Sequence, residues 1–300
     1  MMKKILIWRD GAFGDTILLI SFLKILKNRN YYIRTISNKK YAKLFFHFNL
    51  INENIDSSSD ELLPLFSNYS DLKKNIFEFI FNNDYIIIFT NSSDSHLLTN
   101  LKKHLKKKSQ LIILPFQPQI KFDIIFNDNI LKGNLYFHNY HIIFHFFNSL
   151  NFTKNKIELI KKNPAYICIN KNISKRKKSI VIHIGSGSKN KNISIHFWIK
   201  LIKFFLNKKF KVNIIGSYAE EKEFIFLQNI FKQKLKYHFD KDIIELTELI
   251  SSARLFIGND SGPGHLSAIL KTPTIIFCKN SNYKIWHQIG IKTFIIKIKE

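Results

Sequence analysis

Short apolar runs of strand length alternate along this chain with longer stretches in which apolar residues recur at helical spacing. Ile5 to Trp8 is the first run, and an apolar helix from about Thr16 to Leu26 follows it. Strands at Ile33 to Ser37, Tyr85 to Phe89 and Leu111 to Leu114 continue the pattern. The helices between them fall near Lys39 to Phe48, Asp71 to Phe81 and, more polar, Ser92 to Lys107. Pro115 and Pro118 then open an irregular stretch, and His138, His141 and His145 lie on a helical stretch ending near Leu150. Residues 151–179 are rich in Lys and Asn, carry Pro164, and read as a linker. Beyond it the alternation restarts. Strands at Ile180 to Ile184, Val212 to Ile215, Leu255 to Ile257 and Thr274 to Phe277 are interleaved with helices at Ser194 to Leu206, Ala219 to Lys232, Ile243 to Ser252 and Gly262 to Leu270. Phe294 to Ile298 is a last strand-like run. Strands separated by helices call for a parallel sheet covered on both faces. The expected architecture is therefore α/β in two halves, residues 1–160 and 161–300, facing each other across a cleft.

Composition narrows this only in part. The 300 residues suit two domains, and 45% hydrophobic residues with 29 Phe can build two cores. The formal charge of +25 comes from 47 Lys and Arg against 22 Asp and Glu. It invites a nucleic-acid or anionic-membrane reading. Lys, Asn, Ile and Phe are over-used together, however, as a genome biased toward A and T would produce, and the lysines are spread widely. Only Lys102 to Lys108, Lys171 to Lys178 and Lys208 to Lys211 stand out as clusters. No zinc-finger, RNA-recognition or helix-turn-helix signature accompanies the charge, so no nucleic-acid partner is expected. Cys168 and Cys278 each sit in strand-like apolar runs, which excludes a disulfide framework or a cysteine metal site. The apolar run Ile5 to Trp8 is too short for a signal-peptide core, and no run reaches the roughly 18 apolar residues of a membrane span. A cytoplasmic protein is expected, with any membrane contact peripheral.

The candidate chemistry centres on Leu255 to Leu266, read as Leu-Phe-Ile-Gly-Asn-Asp-Ser-Gly-Pro-Gly-His-Leu. Here a buried strand runs into a turn at Gly258 and then a helix that Asp260 or Ser261 can cap. Gly262 and Gly264 bare the backbone where the first helical N–H groups are unpaired, so an anion such as a diphosphate would be held there; an ordinary capped turn is the alternative. At the other end, Arg9 to Asp15 forms a Gly-containing loop between strand and helix. Its Gly11 and Gly14 fit neither the Gly-x-Gly-x-x-Gly fingerprint nor a P-loop. His141 and His145 have metal-compatible spacing, but no Glu stands in a zinc-enzyme frame, and they read as surface or acceptor-cleft histidines. The pair Asp240 and Asp242 resembles a metal-clamping Asp-x-Asp, yet Asp242 reads more simply as the cap of the helix from Ile243.

Asn259-Asp-Ser-Gly-Pro-x-His-Leu after a hydrophobic strand resembles the nucleotide-sugar signature of the lipopolysaccharide heptosyltransferases, glycosyltransferase family 9. Three further stretches resemble that family in order. They are Lys4 to Ile7 with Gly11-Ala-Phe-Gly-Asp-Thr, Ile182-His-Ile-Gly-Ser-Gly187 with Lys191, and Ile215-Gly216 with Glu220 followed by Thr247 to Ile250. The sequence departs from the family at Ile184 for Pro, at Ile193 for Trp, and in Phe89-Thr90-Asn91 after its strand. After Trp286 it offers one strand-like run, Phe294 to Ile298, where the family usually adds a final helix.

The resemblance implies a GT-B fold of two Rossmann-like domains, an N-terminal one for the acceptor and a C-terminal one for the nucleotide sugar. It implies inverting, metal-independent transfer of heptose from ADP-heptose to a lipopolysaccharide core acceptor, with no cofactor. A relative using another nucleotide sugar or glycan acceptor, and a non-catalytic basic nucleotide- or nucleic-acid-binding protein, are the alternatives. Asp15 is then the base, its competing role being a helix N-cap. Lys191, Ser186, Ser261, Gly262 and His265 fall on the donor side. Asp260 takes donor hydroxyls or caps the helix, and Glu220 takes the ribose or starts its own helix. Gly14 and His141 fall on the acceptor side, where a lipid-linked or oligosaccharide acceptor would bring the protein to an anionic inner-membrane surface.

Overall fold

The computed structural model describes residues 2–67, 71–90, 95–114, 177–279, 288, 290 and 292–298, with the backbone of 124–126 and 129–131. The chain divides into two compact units, Met1–Ala12 with Leu18–Ala165, and Phe13–Ile17 with Tyr166–Glu300. The expected boundary near residue 160, most of the linker, and His138, His141 and His145 lie outside the described residues.

The first unit is a parallel sheet. Its elements run β1 (Lys4–Trp8), α1 (Phe13–Lys27, of which residues 18–27 belong to this unit), β2 (Tyr32–Ser37), α2 (Lys39–His47), β3 (Glu53–Asp56), α3 (Lys74–Phe81), β4 (Tyr85–Phe89), α4 (His96–His104) and β5 (Gln110–Leu114). The strand order is β3-β2-β1-β4-β5. A short antiparallel pair, β6 (Ile124–Phe126) and β7 (Asn129–Leu131), follows. Central strands β1 and β4 are continuous apolar runs because both their faces are covered. Leu6, Trp8, Ile86 and Ile88 join Ile76, Ile80 and Leu101 of α3 and α4 in one core. The edge strand β3 is polar and half-buried and gives no apolar signal. Side chains pin it instead, since Asn54 Oδ1 accepts from Thr35 Oγ1 at 2.7 Å and from Ser37 Oγ at 2.8 Å.

The second unit repeats the plan with β8 (Lys177–His183), α5 (Ile195–Asn207), β9 (Lys211–Gly216), α6 (Glu221–Phe231), β10 (Lys236–Phe239), α7 (Ile243–Ser252), β11 (Ala253–Asn259), α8 (Gly262–Ile269), β12 (Thr274–Cys278) and β13 (Thr293–Lys297). All pairs are parallel, in the order β10-β9-β8-β11-β12-β13. Trp198 and Ile202 of α5 and Phe224, Leu227 and Phe231 of α6 pack on Ile180, Ile182, Val212 and Ile214. The edge strand β10 is again held by side chains. His238 Nε2 lies 3.0 Å from Asn213 Oδ1, and Tyr237 donates to the carbonyl of Leu227 at 3.0 Å. Chain order reverses between β8 and β11, and in open parallel sheets a ligand crevice forms beyond the carboxyl ends of such a pair.

Several boundaries differ from the sequence expectation for local reasons. Helix α1 starts at Phe13 with Ala12 as its N-cap residue, so Gly14 and Asp15 lie in its first turn rather than in a loop. Gly258 is inside β11 and makes no turn; a Cβ there would come within 3.1 Å of the His183 carbonyl oxygen on the neighbouring strand. Helix α4 is described from His96, where the Ser95 hydroxyl accepts from the Leu98 N–H, and ends at His104 rather than Lys107. Asp242 does cap α7, its Oδ1 accepting from the Ile244 N–H at 2.9 Å. Cys278 is a buried thiol in β12. Among the described residues no helix is long and apolar enough to cross a membrane.

Candidate active site

In the second unit the strands β8 and β11 end side by side, with His183 of β8 paired in register with Gly258 of β11. The chain after β8 forms a loop through Gly185, Ser186 and a 3-10 turn, Lys189–Lys191, before α5. The loop is fastened at both ends by Asn259, which is fully buried. Its Nδ2 donates to the Ile184 carbonyl at 2.6 Å, and its Oδ1 accepts from the Ile193 N–H at 3.3 Å. Within the loop the Ser186 hydroxyl sits 2.6 Å from Asn192 Oδ1 and 2.7 Å from the Ser188 carbonyl. Ser186 thus braces the segment that presents Lys191.

Lys191 reaches across to β11. Its Nζ lies 3.3 Å from Asp260 Oδ2, while Gln288 Nε2 donates to Asp260 Oδ1 at 2.7 Å. Both carboxylate oxygens are engaged, and neither serves the helix that follows. Ser261 occupies the N-cap position of α8, in extended backbone, without a side-chain capping bond. Neither capping role expected for Asp260 and Ser261 is therefore realised. The Ser261 hydroxyl instead lies 3.0 Å from His183 Nδ1. Of the expected backbone donors, the Gly264 N–H turns to the Ser261 carbonyl at 3.1 Å and Pro263 has none, which leaves the Ser261 N–H and, at the first position of the helix, the Gly262 N–H. His265 follows in that turn and is buried. Burial pushes the His183 imidazole below its ordinary pKa, with the Glu220 carboxylate opposing in smaller measure, so the ring is neutral at neutral pH.

Glu220 does start its helix. Its Oε2 accepts from the Ser217 N–H at 3.0 Å and the Ser217 hydroxyl at 2.9 Å, a capping box, and the side chain is buried. The carboxylate also lies against Gly185, where any Cβ would overlap it. Ile193, at the position where a Trp was expected, lines an apolar cleft of about 430 Å³ with Ile184, Trp198 and Phe226. The structure brings Ser186, Lys191, Asp260, Ser261, Gly262 and His265 to the same carboxyl edge. Gln288 was not foreseen from sequence. It lies 28 residues beyond Asp260 and outside any regular element, and no local pattern marks it. His183 and Asn259 stand inside the quoted motifs, but their roles emerge only from the strand pairing.

The reversal point of the parallel sheet, with this polar cradle beside it, marks the chain as a doubly wound α/β protein. Comparison with known proteins narrows the class. The profile of glycosyltransferase family 9 (heptosyltransferase) matches residues 82–298, and the chain belongs to that family. It is similar to lipopolysaccharide heptosyltransferase 1 of Campylobacter coli, 28% identical over 186 residues that cover 58% of this chain and 54% of the relative. The matched segments span about half the length of the curated relatives, 46% and 54%. Among solved structures, a family 9 glycosyl transferase from Veillonella parvula superposes with a TM-score of 0.72 at 15% identity, covering 99% of this chain and 86% of that one. The E. coli heptosyltransferase WaaC with ADP gives 0.71 at 13% identity, covering 99% and 93%. These likenesses establish the fold, GT-B, built from two parallel-sheet α/β units.

Proposed function

We propose that the protein is an inverting glycosyltransferase that moves heptose from ADP-heptose to a lipopolysaccharide core acceptor. The observation that carries the reading is Lys191, a cation held 3.3 Å from the buried Asp260 beside the opening of α8, in a chain of this family. The named ligand of WaaC, ADP, and the named product class of the Campylobacter relative, lipopolysaccharide, support donor and acceptor.

In this reading Lys191, the Ser261 hydroxyl and the Gly262 N–H take the diphosphate, with His265 and Ser186 lining it. Asp260 accepts from sugar hydroxyls, and the second carboxylate oxygen of Glu220 accepts from the ribose. Gly14 and His141 are assigned to the acceptor in this reading. The acceptor oxygen attacks the anomeric carbon, its proton passes to Asp15, and the bond from that carbon to the diphosphate oxygen breaks with its electrons leaving on ADP. Preorganised donors stabilise the developing charge, so no divalent cation is required. Asp242, whose Oδ1 caps α7, reads as a helix cap rather than as half of a metal clamp. A lipid-anchored acceptor would place the protein on the cytoplasmic side, in peripheral contact with an anionic membrane surface.

The test is sugar transfer from ADP-heptose, and from UDP- and GDP-sugars, to a core acceptor lacking that heptose, with and without excess EDTA. ADP-heptose is expected to serve in both conditions. Transfer from another nucleotide sugar alone overturns the donor assignment, and activity lost to chelator and restored by Mg²⁺ or Mn²⁺ overturns the metal-independent mechanism.

A further inference from the structure

We infer that His183 is a positioning residue for the donor diphosphate, holding the Ser261 hydroxyl off its own helix and turned to the ligand. The inference rests on the reading of this crevice as a nucleoside-diphosphate site. Ser at an N-cap ordinarily turns its oxygen onto the second or third N–H of the helix. Here α2, α4, α5 and α7 are capped in that way by Asn38, Ser95, Ser194 and Asp242. Ser261 at α8 is not, although its backbone is extended as a cap requires. What distinguishes it is the imidazole 3.0 Å from its oxygen.

The fold makes room for that contact. His183 ends β8, is 6% exposed, and faces a glycine in register on β11. A Cβ at Gly258 would stand 3.3 Å from the His183 Cβ and crowd the strand that carries it. Being neutral, the buried ring adds no positive charge to oppose a diphosphate, so its contribution is geometric. In the tautomer with hydrogen on Nδ1 it donates to Ser261 Oγ, which leaves the hydroxyl hydrogen for a phosphate oxygen. The free Gly262 N–H and this hydroxyl then converge on one anion, where a capping serine would have closed the helix end to it.

ADP binding by calorimetry to the full chain tests this in a double-mutant cycle with His183→Leu and Ser261→Ala. Each single change is expected to weaken ADP about tenfold, the scale of a lost hydrogen bond to a charged group. The double variant should bind no more weakly than Ser261→Ala alone, because the imidazole acts only through the hydroxyl. His183→Asn, whose amide nitrogen sits near the place of Nδ1, should bind within about threefold of the parent, and His183→Gln should not. Additive losses in the double variant, or equal affinities for the Asn and Gln variants, overturn the inference. The Asn and Gln comparison decides it if His183→Leu does not fold. An unsubstituted protein that binds no ADP overturns the donor-site reading itself. Tight parental binding left unchanged by His183→Leu overturns only the role of His183.

Discussion

Lys191 Nζ and Asp260 Oδ2 stand 3.3 Å apart, with the lysine side chain 35% exposed and the carboxylate only 6%. Among the described residues the buried charge thus meets one cation that can reach solvent and one neutral amide, that of Gln288. When such a cation turns to an incoming anion, the Gln288 amide still donates to the carboxylate.

Lys191→Ala is expected to weaken ADP and ADP-heptose alike by at least about tenfold, since both carry the diphosphate. If Asp260 accepts from sugar hydroxyls, Asp260→Asn should weaken ADP-heptose more than ADP. Calorimetric titration with both ligands separates the two. A loss confined to the acceptor would move Lys191 out of the donor site.

Asp15 occupies the third position of α1, where Ala12 and not Asp15 is the N-cap residue. If it is the base, Asp15→Asn should leave ADP binding within a few-fold and lower turnover by roughly two orders of magnitude or more. Full turnover in that variant removes Asp15 from the mechanism.

At Gly185 an added methyl overlaps the Glu220 carboxylate, which is itself committed to Ser217. Gly185→Ala should therefore cost about 1–3 kcal/mol of stability and displace the Lys191 loop. Thermal unfolding and ADP titration together check this. Unchanged values in both would show that Glu220 can step aside.

The neutral state of buried His183 has a pH consequence. Its folded pKa is depressed below the ordinary 6.5, so between those two values the unfolded chain binds the proton that the folded chain refuses. His238 is shifted the same way, by burial first and then by Lys241 and Lys236. The contribution of these two histidines should be flat above about pH 7 and fall as pH drops through about 6.5. Urea unfolding at a series of pH values measures it. His183→Asn should flatten the slope, and an equal slope in that variant would assign the effect to other groups.

The central strands and most helices were legible because their signals are local. Tyr85–Phe89 and Ile243–Ser252 have the expected ends, the second because Asp242 announces its cap. The edge strands Glu53–Asp56 and Lys236–Phe239 were missed, since they are held by Asn54, His238 and Tyr237 rather than by an apolar face. Gly14 reads as a loop residue in sequence yet sits in a helical turn, where the run of buried side chains from Ile17 to Phe22 overrides its low propensity. The candidate site was legible as a set of motif residues. The contact between His183 and Ser261 bridges 78 positions and exists only once β8 and β11 pair. Gln288 carries no pattern at all.

Asn259 gives a surface loop the kinetics of a core. Because the Ile193 amide is bonded to a side chain that is itself locked between β8 and β11, its hydrogen cannot be lost to solvent by local fraying of the loop. Its exchange with deuterium should run at the slow rate of the central strands, well behind neighbouring loop amides. The segment that carries Lys191 is then part of the sheet's own cooperative opening unit, and whatever loosens the sheet loosens that segment with it.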